Sequence, residues 1–345
     1  MGAAARRRLL CLAAAVDVPG CVGAEPYVEL VRLAERGGLD FVTLDDSSAG
    51  PGPDALAVLS RAAPATRRIG LVPTLTTTHT EPFRAQAAVA TLDRVSRGRA
   101  GWRIEVSAGA RWDEAGEVAE VSARTGDSWE DGTGIRDAPA GRFPDRDEPH
   151  PGGFTGGASS VRGPSTVPRP PQGRPVRVVD ATEAQARTVA ARYADVALIR
   201  AATPAQAAAV RGELRERAAG SGRDPDTLRT LVSLLVDLGD GEYAAEPGHG
   251  GGGPRPTVRG PLYRGGPVAL AELVAGWHAD GVTDGFHLVP VEPRRDLERL
   301  VNGTVAVLQH RGLFRTFYPG STLREHLGLA RPAHPYALPC PAGKG

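Results

Sequence analysis

Ile69-Gly70-Leu71-Val72-Pro73-Thr74-Leu75 is an apolar run long enough for one buried strand, and the residues after it decide the fold. Thr80-Glu81-Pro82 then supplies a capping hydroxyl, an acidic first-turn residue and a proline suited to a helix start. The helix predicted from there runs to Val95 and is stopped by Gly98, after which Trp102-Arg103-Ile104-Glu105-Val106 opens a second buried run. Strand, helix and strand in that order require a parallel pair joined by a crossover. The alternation continues outward on both sides. Strands are predicted at residues 9–15, 40–44, 69–75, 102–106, 176–179, 196–200, 231–236 and 285–289. Helices are predicted between them, including 27–36, 54–63, 112–123, 182–193, 268–279 and 296–309, with another capped by Thr203 and Pro204. This pattern predicts an α/β fold, a (β/α)8 TIM-like barrel with two inserted Gly/Pro-rich loops. A doubly wound sheet with an appended domain is the alternative that pattern alone leaves open.

The composition agrees with one loop-rich domain. Of 345 residues, 44 are Gly and 30 are Pro, and much of both falls in residues 127–175 and 242–266, where apolar periodicity is lost. A single domain over 1–345 is expected, with insertions at those two places and a tail after residue 329. Basic residues (41) and acidic residues (40) nearly balance, which argues against a nucleic-acid or membrane-surface partner. Cys11, Cys21 and Cys340 form no CxxC pair and no even disulfide framework, as in a cytoplasmic protein. Arg6-Arg7-Arg8 precedes an apolar run that ends at Asp17, so the run has the length of a buried strand rather than of an export signal. No apolar stretch approaches the roughly 20 residues that span a bilayer.

In such a barrel, chemistry belongs at the carboxyl ends of the strands. Asp45 and Asp46, Thr76 to His79, and Ser107 fall there. Each also has a plain reading as a turn or cap residue. HExxH, GxSxG and GxxxxGK[ST] are absent and the eight histidines are scattered, so no metal is expected and hydrolase and phosphate-loop readings are weakened.

Several ordered blocks resemble a known family. They are Thr78-His79-Thr80-Glu81-Pro82-Phe83, Thr91-Leu92-Asp93-Arg94-Val95-Ser96-Arg97-Gly98-Arg99-Ala100-Gly101-Trp102, Asp127-Ser128-Trp129, Pro170-Pro171-Gln172-Gly173, Asp284-Gly285-Phe286 and Arg311-Gly312-Leu313-Phe314-Arg315-Thr316. Together with Thr322-Leu323-Arg324-Glu325-His326-Leu327-Gly328-Leu329, they are similar to the bacterial luciferase-like flavin-dependent monooxygenases, in the branch of nitrilotriacetate and dibenzothiophene-sulfone monooxygenases. The resemblance implies a barrel holding reduced FMN, delivered by a separate flavin reductase, and oxygenation of a small organic molecule or specialised metabolite through a flavin hydroperoxide. It also implies a homodimer packed through barrel helices. Some relatives use a deazaflavin instead, and a descendant using no flavin, either a binding protein or a non-redox enzyme, is a further reading.

Carried over by motif, Asp46, Thr76 and Thr77 match residues near the flavin ring. The departures fall on the cofactor side. Arg103 stands where the family has a neutral amide, Ala108 and Trp112 replace a His and a Tyr, and Glu183 falls near the phosphate-binding serine, with Thr182 as a possible substitute. The expected site therefore comprises Arg103 and Trp112 as catalytic residues and Asp46, Thr76, Thr77, Thr182 and Glu183 as cofactor ligands. Between the seventh strand and Val268 the family's long helical excursion is reduced here to a glycine-rich stretch, which predicts a more open pocket.

Overall fold

The computed structural model describes residues 10–45, 52–78, 80–107, 109–129, 154–155, 160–161, 165–239 and 253–335. Its central strands are β1 (Cys11–Ala15), β2 (Phe41–Leu44), β3 (Gly70–Thr76), β4 (Gly101–Glu105), β5 (Val176–Asp180), β6 (Val196–Ile199), β7 (Arg229–Asp237) and β8 (Gly285–Pro290). Each pairs in parallel with the next, and β8 returns to pair with β1, so the sheet closes into an eight-stranded (β/α)8 barrel. The surrounding helices are α1 (Glu25–Arg36), α2 (Ala55–Ala62), α3 (Pro82–Val95), α4 (Trp112–Gly126), α5 (Ala184–Tyr193), α6 (Pro204–Gly220), α7 (Pro267–Ala279) and α8 (Pro293–Arg299). Because both faces of a parallel barrel strand are covered, the strands read as nearly unbroken apolar runs.

One apolar layer lies between barrel and helices, and includes Leu12, Val42, Leu71, Ile104, Val179, Val232 and Phe286. A second fills the barrel interior, with Cys11, Phe41, Val72, Val178, Leu198 and Leu231 facing inward. Leu323, Leu327 and Leu329 from the C-terminal segment join this inner cluster and close the floor of the barrel. Each such leucine contributes about 1.5–3 kcal/mol of burial. Polar staples fix the floor. Arg324 donates to both carboxylate oxygens of Asp195 at 3.2 and 3.1 Å, and its own backbone N–H donates to Gln172 Oε1 at 2.9 Å. Asp93 accepts from Ala100 N at 3.0 Å and from Gln172 Nε2 at 2.6 Å, and burial raises its carboxyl to about 6.

Four local expectations change. Thr80 does not cap α3: its hydroxyl donates to the Thr76 carbonyl at 2.6 Å, and Glu81 holds the cap position without a side-chain bond. The stretch 242–266 is not all loose, because Arg255–Thr257 and Gly260–Arg264 form an antiparallel hairpin whose second strand lies parallel to the end of β7. The ends of the 127–175 excursion are core. Asp127 there takes the Arg169 Nε donor at 3.2 Å with both side chains buried, and it also binds Arg174. The final helix is broken in the middle, where a π-helical stretch, Leu300–Val305, separates α8 from Ala306–His310.

Candidate active site at the barrel mouth

Inward parity continues from the apolar interior to the mouth. Two residues beyond Phe41 and Val72 stand Thr43 and Thr74; Arg103 lies in register with Thr74 and with Val178, and His287 with Ser233 and Ala13. A polar belt thus tops the apolar floor. Arg103 Nη2 reaches across β3 to Asp45 Oδ2 at 2.8 Å and lies 3.8 Å from Glu105 Oε2. Thr74 sits between them in the strand order, wholly buried, and its hydroxyl has no partner among the described residues. Asp45 Oδ1 is likewise buried without a hydrogen bond, while the Asp45 N–H donates to Asp17 Oδ1 at 2.7 Å.

The charges at the mouth are crowded. Burial works against the Arg103 cation, but Asp45, Glu105 and Asp180 outweigh it and the net shift of Arg103 is upward. Burial, and then the neighbouring Asp45, raises the Glu105 carboxyl; burial likewise raises Asp17. On the other side of the barrel His287 is 2% exposed, with Nε2 2.8 Å from Thr43 Oγ1 and Nδ1 3.1 Å from Ser233 Oγ. Burial, and then the Arg103 cation, pushes this imidazole down to about 3, so it is neutral at ordinary pH and can donate to one hydroxyl while accepting from the other.

That shift has a measurable consequence. Between about pH 6.5 and 3 an unfolded histidine takes up a proton that native His287 refuses, so the native state loses stability as pH falls through that window. Asp93, with its raised carboxyl, acts in the opposite direction between about 3.8 and 6, so a difference measurement is needed. The stability of the unmodified protein relative to His287→Asn is expected to decline below pH 6.5 by about 1.4 kcal/mol per pH unit. Urea unfolding at pH 7.5, 6 and 5 reads it. Parallel curves for the two proteins would show that the imidazole is not buried neutral.

The expected site residues divide into wall and rim. Arg103 and Thr76 belong to strands of the wall, Thr76 being paired in register with Glu105. The Thr77 hydroxyl donates to the Glu105 carbonyl at 2.9 Å and so serves the backbone. Trp112, at the start of α4, donates its indole N–H to Glu183 Oε2 at 3.1 Å, bridging the loops after β4 and β5. Thr182 is turned back to Asp180, which accepts from both its backbone N–H and its hydroxyl. Asp46 lies outside the described residues, as do His79 and Ala108. Thr43, Thr74, Asp180, Ser233 and His287 were missed. Their one signal was a polar side chain inside an apolar strand, as in Phe41-Val42-Thr43-Leu44 and Gly285-Phe286-His287-Leu288. Among the described residues no three His, Cys, Asp or Glu side chains form a metal-binding group, and no helix is long and apolar enough to cross a membrane.

Residues 12–260 match the luciferase-like monooxygenase family. The chain is 32% identical to nitrilotriacetate monooxygenase component A of Aminobacter aminovorans, covering 91% of each chain, and 26% identical to the dibenzothiophene-sulfone monooxygenase of Rhodococcus erythropolis, covering 89% and 90%. The first alignment has 415 positions, 70 more than the 345 residues present, so that relative carries segments this chain lacks. Among solved structures, the EDTA monooxygenase of Chelativorans sp. BNC1 superposes with a TM-score of 0.81 at 22% identity, covering 94% of this chain and 99% of that one.

Proposed function

The chain belongs to the luciferase-like monooxygenase family and is an oxygen-using oxidoreductase like the named monooxygenases it matches, and from that membership we propose that it is a two-component flavin-dependent monooxygenase acting on a small organic molecule. A separate reductase supplies the reduced flavin, and FMN is the flavin that the resemblance implies. A homodimer and a cytoplasmic location go with the same reading. The observation that carries it is the row formed by Asp45 just after β2, Thr74 on β3 and Arg103 on β4: a carboxylate oxygen and a hydroxyl without partners among the described residues, beside a half-buried cation. A flavin ring presents carbonyl acceptors and a ring N–H along one edge, and this row matches such an edge. When bound, reduced flavin supplies the electrons by which one atom of oxygen enters the substrate and the other leaves as water.

The chain's own groups supply position and exclusion. Arg103 donates to a ring carbonyl while Asp45 and Glu105 hold its guanidinium in place. Neutral His287 fixes the Thr43 and Ser233 hydroxyls without adding charge beneath the site. Trp112, tied to Glu183, stands on one side of the rim, and the leucine floor closes the opposite end of the barrel against water. The residue Arg103 is tested by anaerobic titration with photoreduced flavin. Arg103→Met is expected to weaken binding about 10- to 100-fold, the loss of one charged hydrogen bond. Absence of reduced-flavin binding by the unmodified protein would overturn the reading.

A further inference from the structure

The carboxylates of the mouth bear on which flavin can enter. Six of the eight helices that follow the barrel strands begin with Asp or Glu at the cap or in the first turn. Helix starts at the carboxyl ends of strands are the ordinary seats for phosphate, because their first N–H groups and dipole favour an anion. Here the protein's own carboxylates stand at those starts, although of the six only Asp54 caps its helix by accepting a first-turn N–H. Of the two remaining starts, α6 is capped by Thr203, which accepts from Gln206 N. α7 opens next to the end of β7, where Asp237 lies.

The cations at the mouth are also engaged. Among the described residues Arg103 is held by Asp45 at 2.8 Å, Arg200 by Asp180 at 3.4 Å, Arg264 by Asp237 at 3.0 Å and Arg295 by the same Asp237 at 2.7 Å. Among the described residues, a phosphate dianion at this mouth meets carboxylates and gains one of these four cations only by breaking an existing pair. The crowding is visible in the protein's own groups, since Glu105 is raised by burial and then by Asp45.

The turn after β5 shows the conflict most directly. Asp180 and Glu183 bracket it, with Asp180 turned to Thr182 and Glu183 bonded to Trp112. No side chain caps α5, so its opening N–H groups are still available to a ligand oxygen. Those donors suit the oxygen of a neutral alcohol; the adjacent carboxylates repel a dianion. Deeper in the barrel, in the layer of Arg103, the Thr74 hydroxyl is wholly buried and has no partner among the described residues.

We propose that this barrel mouth selects a flavin without a phosphate, one whose polyol tail ends in a hydroxyl, over FMN, with Asp180 and Glu183 as the selecting residues. The proposal rests on the flavin reading above and narrows it to the ligand's tail. The test is anaerobic titration of the full chain with reduced riboflavin and with reduced FMN, followed by flavin absorbance and by calorimetry at 50 and 300 mM salt. Reduced riboflavin is expected to bind at least tenfold tighter at low salt, with a smaller gap at high salt as the repulsion is screened. In the double variant Asp180→Asn, Glu183→Gln the affinity for FMN should rise about tenfold while that for riboflavin stays within twofold. Glu183→Gln alone, at an exposed position, keeps the comparison valid if the double variant folds poorly, and it should give a smaller gain in the same direction. Tighter binding of FMN than riboflavin by the unmodified protein would overturn the tail selectivity and leave the flavin reading standing. Binding of neither would overturn both.

Discussion

Gly285→Ala is expected to leave little or no soluble folded protein. Gly285 opens β8 and pairs with Cys11 of β1, at the seam where the barrel closes. A Cβ at this position would fall 1.9 Å from the Cys11 carbonyl oxygen and 2.9 Å from the Cys11 Cα. Those are backbone atoms, so no side-chain rotation relieves the clash, and the strands must separate. Ordinary overpacking in a core costs about 1–3 kcal/mol. A clash that also opens a run of strand pairing is expected to cost more, on the order of 4 kcal/mol or above, against a total stability of about 5–15 kcal/mol. Soluble yield and thermal unfolding measure it. Gly276→Ala is the matched control, because that glycine lies in α7 with nothing within 4 Å of a new Cβ. It should be neutral or stabilising by up to about 1 kcal/mol. A Gly285→Ala protein that melts like the unmodified one would refute the closure of the barrel at β1 and β8.

Asp195→Ala should be nearly as damaging, for an electrostatic reason. Asp195 takes two bonds from Arg324 and one from the Arg177 backbone N–H at 2.9 Å, and the Arg177 guanidinium lies 3.8 Å away. The side chains of Arg324 and Asp195 are 5% and 8% exposed, so this is a buried pair. Burial alone would raise the Asp195 carboxyl, yet Arg324 and Arg177 together hold it below the usual carboxylate range. Removing the anion leaves two sequestered guanidiniums facing each other. Breaking such a pair from one side costs about 3–5 kcal/mol, or roughly 5 °C in the melting midpoint for a chain of this size. Asp195→Asn, which keeps an acceptor, should lose less. Chemical denaturation followed by tryptophan fluorescence distinguishes the two, and equal, small losses would show that the pair is dispensable.

The barrel was legible because apolar strands and capped helices alternate with local signals that need no distant partner. The eight predicted strands each meet an observed one, with ends displaced by at most a few residues. The site was harder for a geometric reason. In a parallel barrel both faces of a strand are buried, so alternation does not reveal which residues point inward. Arg103 was readable because it puts a permanent cation where the resembled family has a neutral amide. Thr74, Ser233 and His287 carried no comparable demand, and the pairing of Trp112 with Glu183 joins residues 71 apart in the chain. The motif blocks that carry the family likeness lie largely at the other end of the barrel. Arg99 donates to the carbonyls of Ala63, Ile69 and Ser96, Gln172 holds Asp93, and Arg324 holds Asp195. Those residues explain why the scaffold is shared. They do not touch the mouth, where this chain differs.

The leucine floor has a consequence for the order of synthesis. Cys11, Phe41 and Val72 are translated early, but the side chains that cover them from below, Leu323, Leu327 and Leu329, emerge only after all eight strands. On the ribosome the nascent barrel therefore waits with its bottom open and its inner apolar surface reachable by other chains. The barrel's inner apolar layer is thus completed only when residue 329 has emerged, about 40 residues after β8 ends.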